Sequence, residues 1–173
     1  MSEPNDSYSF ANKVARIIWK AACLLLFRWS PRPLHAWRTF LLRRFGAEIG
    51  TDCHIYGGAR IWAPWNLICD SRACIADEAE IYNPARVVLG ERSVVSQGAF
   101  LCTASHDYRD EKFPLIHQPI VVERGVWIAA RAIVLMGVTI GENSVIGAGS
   151  VVTESVPPNV VCAGNPARII KQK

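Results

Sequence analysis

Val122, Ile128, Val134, Ile140, Ile146 and Val152 recur every six residues without a break. Four positions after each stands a small or branched residue: Val126, Ala132, Val138, Ser144, Ser150 and Val156. Similar registers run upstream as Ile49–Ile55–Ile61–Leu67, then Ile75–Ile81–Val87, then Leu89–Val95–Leu101. A period of six suits neither a helix, whose faces recur every ~3.6 residues, nor a strand that alternates every two. It suits short flat strands joined by tight corners. Each hexapeptide then forms one side of a triangular coil, with its first residue pointing into the axis. Three sides make a rung of roughly 18 residues whose apolar faces stack on the next rung. The small residue four places on fits the cramped inside of a corner. Gly137, Gly141, Gly147 and Gly149 are expected to supply corner conformations. Two-residue shifts, read at Ala73–Cys74 and at Val87–Leu89, are expected to be bulged corners. The spacing therefore predicts an all-β parallel β-helix over 46–173, and says nothing of its hand.

Between Leu101 and Ile120 the register breaks into CTASHDYRDEKFPLIHQP, a polar loop over 102–119. A long excursion from a regular solenoid is more often functional than connective. It opens with Ser105, His106, Asp107 and Tyr108. Of the four histidines, His106 alone stands at this opening. A lone histidine is more often structural than chemical, so position by itself does not assign it a role.

The first 45 residues differ in character. They carry Lys13, Arg16, Lys20, Arg28, Arg32, Arg38, Arg43 and Arg44 against Glu3 and Asp6, a local +6 in a chain whose total is +4. Val14 to Trp29 reads as one helix, stopped by Pro31 and Pro33, and a second is expected from Leu34 to Phe45. Arg16 and Lys20 interrupt the apolar run, and the stretch Ala21–Phe27 is too short to span a bilayer. No small-residue cleavage site follows, so a secretory leader is not expected. Two readings stay open for residues 14–45: an amphipathic cap on the coil, or a helix lying in a membrane interface. The cysteines at 23, 53, 69, 74, 102 and 162 show neither CxxC nor zinc-finger spacing, which suggests reduced, mostly buried thiols and a cytoplasmic setting. No nucleic-acid partner is expected.

In these motifs the chain resembles the hexapeptide-repeat acyltransferases, whose coils are left-handed. From Val87 to Lys171 it is similar to their sugar O-acetyltransferase branch, which contains galactoside and maltose acetyltransferases. Within it, the stretches SQGAFLCTASHDY, PIVVERGVWIAA, GVTIGENSVIGAGSVVT and VPPNVVCAGNPARII, with SPRPLHAWRTFLLRRFGA near the start, resemble colanic-acid-type exopolysaccharide acetyltransferases. The resemblance implies acetyl transfer from acetyl-CoA, as co-substrate, to a sugar hydroxyl, with His106 as general base and no covalent enzyme intermediate. A sugar hydroxyl is a poor nucleophile while protonated, and a neutral imidazole can take its proton as it attacks the thioester. Cys102 allows a Cys–His thioester route, which ranks below direct transfer.

The resemblance further implies that Asn83, Asp107 and Tyr108 contact the acceptor, although Asn83 also reads as an Asn-Pro turn. Trp127, Ala130, Ala148 and Thr153 would flank the coenzyme arm, and Arg168 and Lys171 its phosphates. Glu154 stands where many relatives carry lysine. The family's homotrimers imply that His106 acts with Trp127 and Ala130 of a neighbour. A lipid-linked saccharide acceptor, met at the inner face of a membrane, would suit the basic N-terminal segment. Three other readings remain: a xenobiotic acetyltransferase, a non-catalytic assembly subunit, and a zinc carbonic anhydrase. The last needs three converging imidazoles, and His35, His54, His106 and His117 lack close paired spacing.

Overall fold

A computed structural model describes residues 9–173. Glu3 and Asp6 lie outside the described residues. From Glu48 onward the chain winds as a three-sided coil of parallel strands. The first face stacks Glu48–Ile49, Leu67–Cys69, Val87–Leu89, Ile120–Val122 and Thr139–Ile140. The second stacks His54–Ile55, Cys74–Ile75, Val94–Val95, Trp127–Ile128, Val145–Ile146 and Val160–Gly164, with Ala167–Gln172 added antiparallel at its end. The third stacks Arg60–Ile61, Glu80–Tyr82, Phe100–Cys102, Ile133–Val134 and Val151–Val152.

The hexad residues point inward, and Ile55, Ile75, Val95, Ile128, Val134 and Ile140 are fully buried. Burying each such side chain contributes about 1.5–3 kcal/mol. The small residues four places on, Ala79, Ala99, Ala132 and Ser150 among them, are also sealed inside. Buried hydroxyls there are satisfied: Ser144 Oγ donates to Pro157 O at 2.7 Å and accepts from Val160 N–H at 3.1 Å.

The tight bend falls three places after the inward residue, where φ is positive. Gly137 and Gly149 fill two such corners, as expected. Gly141 and Gly147 have another reason. A Cβ on Gly141 would stand 2.5 Å from Pro158 N, and one on Gly147 would stand 2.9 Å from Ala163 Cβ. These glycines permit the next coil to approach.

One register shift lies elsewhere than expected. Leu67 and Cys69 are both buried, so the slip sits inside the strand Leu67–Cys69, not at Ala73–Cys74. In a three-residue strand the first and third side chains share a side. Val87–Leu89 behaves alike, as does Ile120–Val122. All three strands follow the corner between the third and first faces. That corner is widened by the turn Pro64–Asn66, by Asn83–Pro84, and by the excursion after Phe100–Cys102.

The N-terminal layer closes the open end of the coil. Helix α1 (Phe10–Ala22) starts with Ser9 Oγ accepting from Asn12 N–H at 3.2 Å, and passes into a π-turn, Cys23–Phe27. It thus begins ahead of the expected Val14. Helix α2 (His35–Arg44) follows. Trp19, Phe27, Leu41 and Leu42 plug the prism above Ile49, Ile55 and Ile61. Trp19 Nε1 donates to Ile61 O at 2.7 Å. Arg38 is fully buried and ties the layer together. Its guanidinium donates to the carbonyls of Ile55 (2.5 Å), Pro31 (3.0 Å) and Arg32 (2.5 Å), and to Ser30 Oγ (2.8 Å). All six cysteines are free. Burial pushes the thiols of Cys53 and Cys69 up, which keeps them protonated and inert.

Candidate active site

The excursion at the third corner is a hairpin, not an irregular loop. Ala104–His106 pairs antiparallel with Leu115–His117, placing His106 opposite Leu115. Its base is fixed by buried Thr103, whose Oγ1 accepts from Ala85 N–H at 3.0 Å and whose carbonyl accepts from Gln118 N–H at 2.9 Å. An exposed histidine is therefore carried on a paired hairpin whose root is hydrogen-bonded to the coil.

The imidazole is oriented from one side. Nδ1 lies 2.8 Å from the Phe113 carbonyl, and the two rings stack with centroids 4.5 Å apart and planes 5° off parallel. A carbonyl oxygen only accepts, so Nδ1 carries a proton, and in the neutral ring the lone pair is then on Nε2. That is the tautomer a general base needs. Phe113 was not anticipated: nothing in the spacing marks a side chain seven residues on. Its φ of +47° turns the main chain so that the carbonyl reaches back to the ring.

Asp107 holds the turn. Its N–H donates to Pro114 O at 2.9 Å, and its Oδ1 accepts from Arg109 N–H at 3.0 Å. Tyr108 is 77% exposed beside His106, with the Arg109 guanidinium 5.6 Å from its ring. Asn83 is placed differently. Its carboxamide is wholly buried, accepting from Ala63 N–H at 3.0 Å and donating to Ala63 O at 2.8 Å. In this chain that geometry holds the widened corner and directs neither group outward. Cys102 donates its thiol to Ala104 O at 3.1 Å, while His106 is bonded to Phe113, so no Cys–His pair forms.

Of the residues expected to flank the coenzyme, Ala130 and Ala148 stand on another corner, between the second and third faces, with Trp127 on the strand leading to it. Strand pairing of Trp127 with Val94 and with Val145 sets Gln97, Ala130 and Ala148 one above another there. Gly149 N–H donates to Ala130 O at 2.9 Å between adjacent coils. Pairing of Ile146 with Cys162 continues the column to Gly164. Above Gln97 the column is made of the short residues Ala130, Ala148 and Gly164. Trp127 is half exposed and fixed by Nε1 donating to Ser96 Oγ at 2.9 Å. Thr153 is exposed on the far side of the third face. Arg168 and Lys171 are exposed on the last strand, and Arg168 shares a crevice with Glu154.

His106 and this column therefore occupy different corners of one prism. The structure does not bring them together within one chain. It does pair two other histidines: His35 stacks on His54 at 4.8 Å, a neighbour relation the linear spacing hides. Among the described residues no group of three His, Cys, Asp or Glu side chains converges to hold a metal.

A stacked hexapeptide coil interrupted by a histidine hairpin defines an enzyme class, the hexapeptide-repeat acetyltransferases, and the chain belongs to this family. The description "bacterial transferase hexapeptide (six repeats)" matches residues 119–154. A relative from Escherichia coli (strain K12), named as a colanic acid biosynthesis acetyltransferase, is 41% identical over 94% of this chain and 89% of its own length. The structure of a hexapeptide-repeat acetyltransferase from Vibrio cholerae O1 biovar eltor, complexed with acetyl coenzyme A, superposes with a TM-score of 0.86 at 27% identity, over 96% of this chain and 91% of that one. A galactoside acetyltransferase in complex with coenzyme A gives 0.84 at 26% identity, over 95% and 83%. The coil is accordingly a left-handed parallel β-helix.

Proposed function

We propose that this chain moves an acetyl group from acetyl-CoA to a hydroxyl of a saccharide, by direct attack, with His106 as general base. The observation that carries the reading is the His106–Phe113 hydrogen bond, which in the neutral ring places the proton on Nδ1 and turns Nε2 into the acceptor on an exposed hairpin. Nε2 takes the hydroxyl proton as the sugar oxygen attacks the thioester carbonyl. Collapse of the tetrahedral species breaks the carbon–sulfur bond, and the proton held on the imidazolium passes to the departing thiolate. Asp107 and Tyr108, beside the base, contact the acceptor.

The small-residue column suits an extended thiol arm, which lies against backbone only where side chains are short. Ala130 and Ala148 flank the arm, Trp127 packs on it, Thr153 contributes from the His106 side of the third face, and Arg168 and Lys171 take the phosphates. Glu154 opposes Arg168 and weakens that end. The two half-sites complete each other only between chains, because they sit on different corners. Cyclic closure then gives a homotrimer with a site at each interface. The relatives' names support a polysaccharide precursor as acceptor. Acetyl-CoA and six free thiols favour the cytoplasm, with residues 14–45 at the inner membrane face and the saccharide carried on lipid.

The deciding assay follows acetyl transfer to cell-envelope sugar intermediates. His106→Ala should lower turnover about 10²–10⁴-fold while leaving the melting temperature unchanged. Near-normal turnover in that variant rejects the base assignment.

A further inference from the structure

Helix α1 is amphipathic in an inverted sense. Its coil-facing side is anchored by Trp19, whereas large apolar side chains at i, i+4, i+7 and i+8 point away from the protein: Phe10 (82% exposed), Val14, Ile17 (68%) and Ile18. The stripe continues through Leu25 (71% exposed) in the π-turn to Trp29 (77%). Trp37 of α2, bonded through Nε1 to Leu26 O at 3.0 Å, extends it. The end of the prism is already plugged by Trp19, Phe27, Leu41 and Leu42. Capping therefore does not explain the outward stripe.

Charge indicates what covers it. Residues 9–45 contain eight Lys/Arg and no carboxylate. Several cations have work within the fold: Arg38 is buried, Arg32 pairs with Asp77 at 3.0 Å, Arg43 donates to the carbonyls of Ile49 and Gly50, and Arg16 lies 4.4 Å over the Trp62 ring. Lys13, Lys20 and Arg28 stand exposed at the edge of the stripe. A second copy placed on this face would set cations against cations, with no carboxylate among the described residues 9–45. An anionic lipid surface meets both properties at once. Among the described residues no helix is long and apolar enough to cross a membrane, so α1 would lie in the plane of the interface.

We propose that the stripe Phe10–Ile17–Leu25–Trp29, with Lys13, Lys20 and Arg28, is a docking surface for an anionic bilayer. It deepens the reading of a lipid-carried acceptor by fixing how the coil is presented. The His106 hairpin rises from the third coil, two strand spacings above the strand Arg60–Ile61 that α1 packs on. Those two spacings set the root of the hairpin about 10 Å along the axis from that strand, on the same end of the coil as α1. The acceptor class is then a saccharide joined to lipid through a short polar link. Docking itself does not rest on the transfer chemistry.

The test is cosedimentation of the full chain with phosphatidylcholine vesicles, with or without about one third phosphatidylglycerol. Wild type should pellet with the anionic vesicles and remain in solution with the neutral ones. I17D/L25D and K13E/K20E change exposed positions only, and each should reduce binding about tenfold, with circular dichroism and transfer to a soluble sugar unchanged. Failure of wild type to bind, or equal binding by both variants, overturns the proposal. So does loss of the native oligomer in I17D/L25D, which would make the stripe a contact between copies. Loss of soluble-sugar transfer in wild type would strike the proposed reaction and leave docking standing.

Discussion

The coil and the N-terminal layer treat aliphatic side chains in opposite ways. In the coil, Ile128 and Ile140 are fully buried at regular spacing; in α1, Ile17 is 68% exposed. Both regions carry Ile and Leu, so aliphatic content does not separate them. Periodicity does. A six-residue repeat commits the aliphatic at every sixth place to the axis of a prism, while strand neighbours such as Ile133 and Val145 point outward. A helix has two sides, and which of them meets the coil depends on the anchors Trp19 and Arg38. The comparison teaches that hydrophobicity specifies burial only where the geometry leaves one face to bury.

Arg38→Met should show how far the layer depends on its single buried cation. Carbonyls of Ile55, Pro31 and Arg32 would lose their donor. Chemical denaturation should report a loss of about 3–5 kcal/mol. A change below about 1 kcal/mol would mean that the apolar plug alone seats the helices.

Truncating one isoleucine in each region tests the contrast directly. Ile128→Ala removes a wholly enclosed side chain and should cost about 2–5 kcal/mol. Ile17→Ala should stay within about 0.5 kcal/mol, as for other exposed positions. Similar costs at the two sites, measured by urea titration, would erase the distinction.

Asn83→Ala sharpens the boundary between scaffold and site. It removes both bonds to Ala63 and should cost about 1–3 kcal/mol in stability. The KM for the sugar should move little. A raised KM at unchanged stability would return Asn83 to the acceptor.

Much of the coil was legible because a hexad is a local code: inward Ile140, small Ser144, bend at Asn143. The slip at Leu67–Cys69 was misplaced by a few residues, since two inward residues in one short strand resemble two ends of a shifted register. His106 stood out because it sits where the repeat fails. Phe113 did not, because its contribution is a main-chain carbonyl, and carbonyls are common to every residue type.

The sequence alone determined the stacked coil, the place where it breaks and the histidine at the break, since each follows from neighbours in the chain. The tertiary structure decided the rest: that Asn83 turns inward, that the base and the small-residue column occupy different corners, and that the apolar side of α1 faces out. Those outcomes depend on contacts between residues twenty or more positions apart, such as Asn83 with Ala63 and Trp19 with Ile61. Spacing along the chain does not encode them.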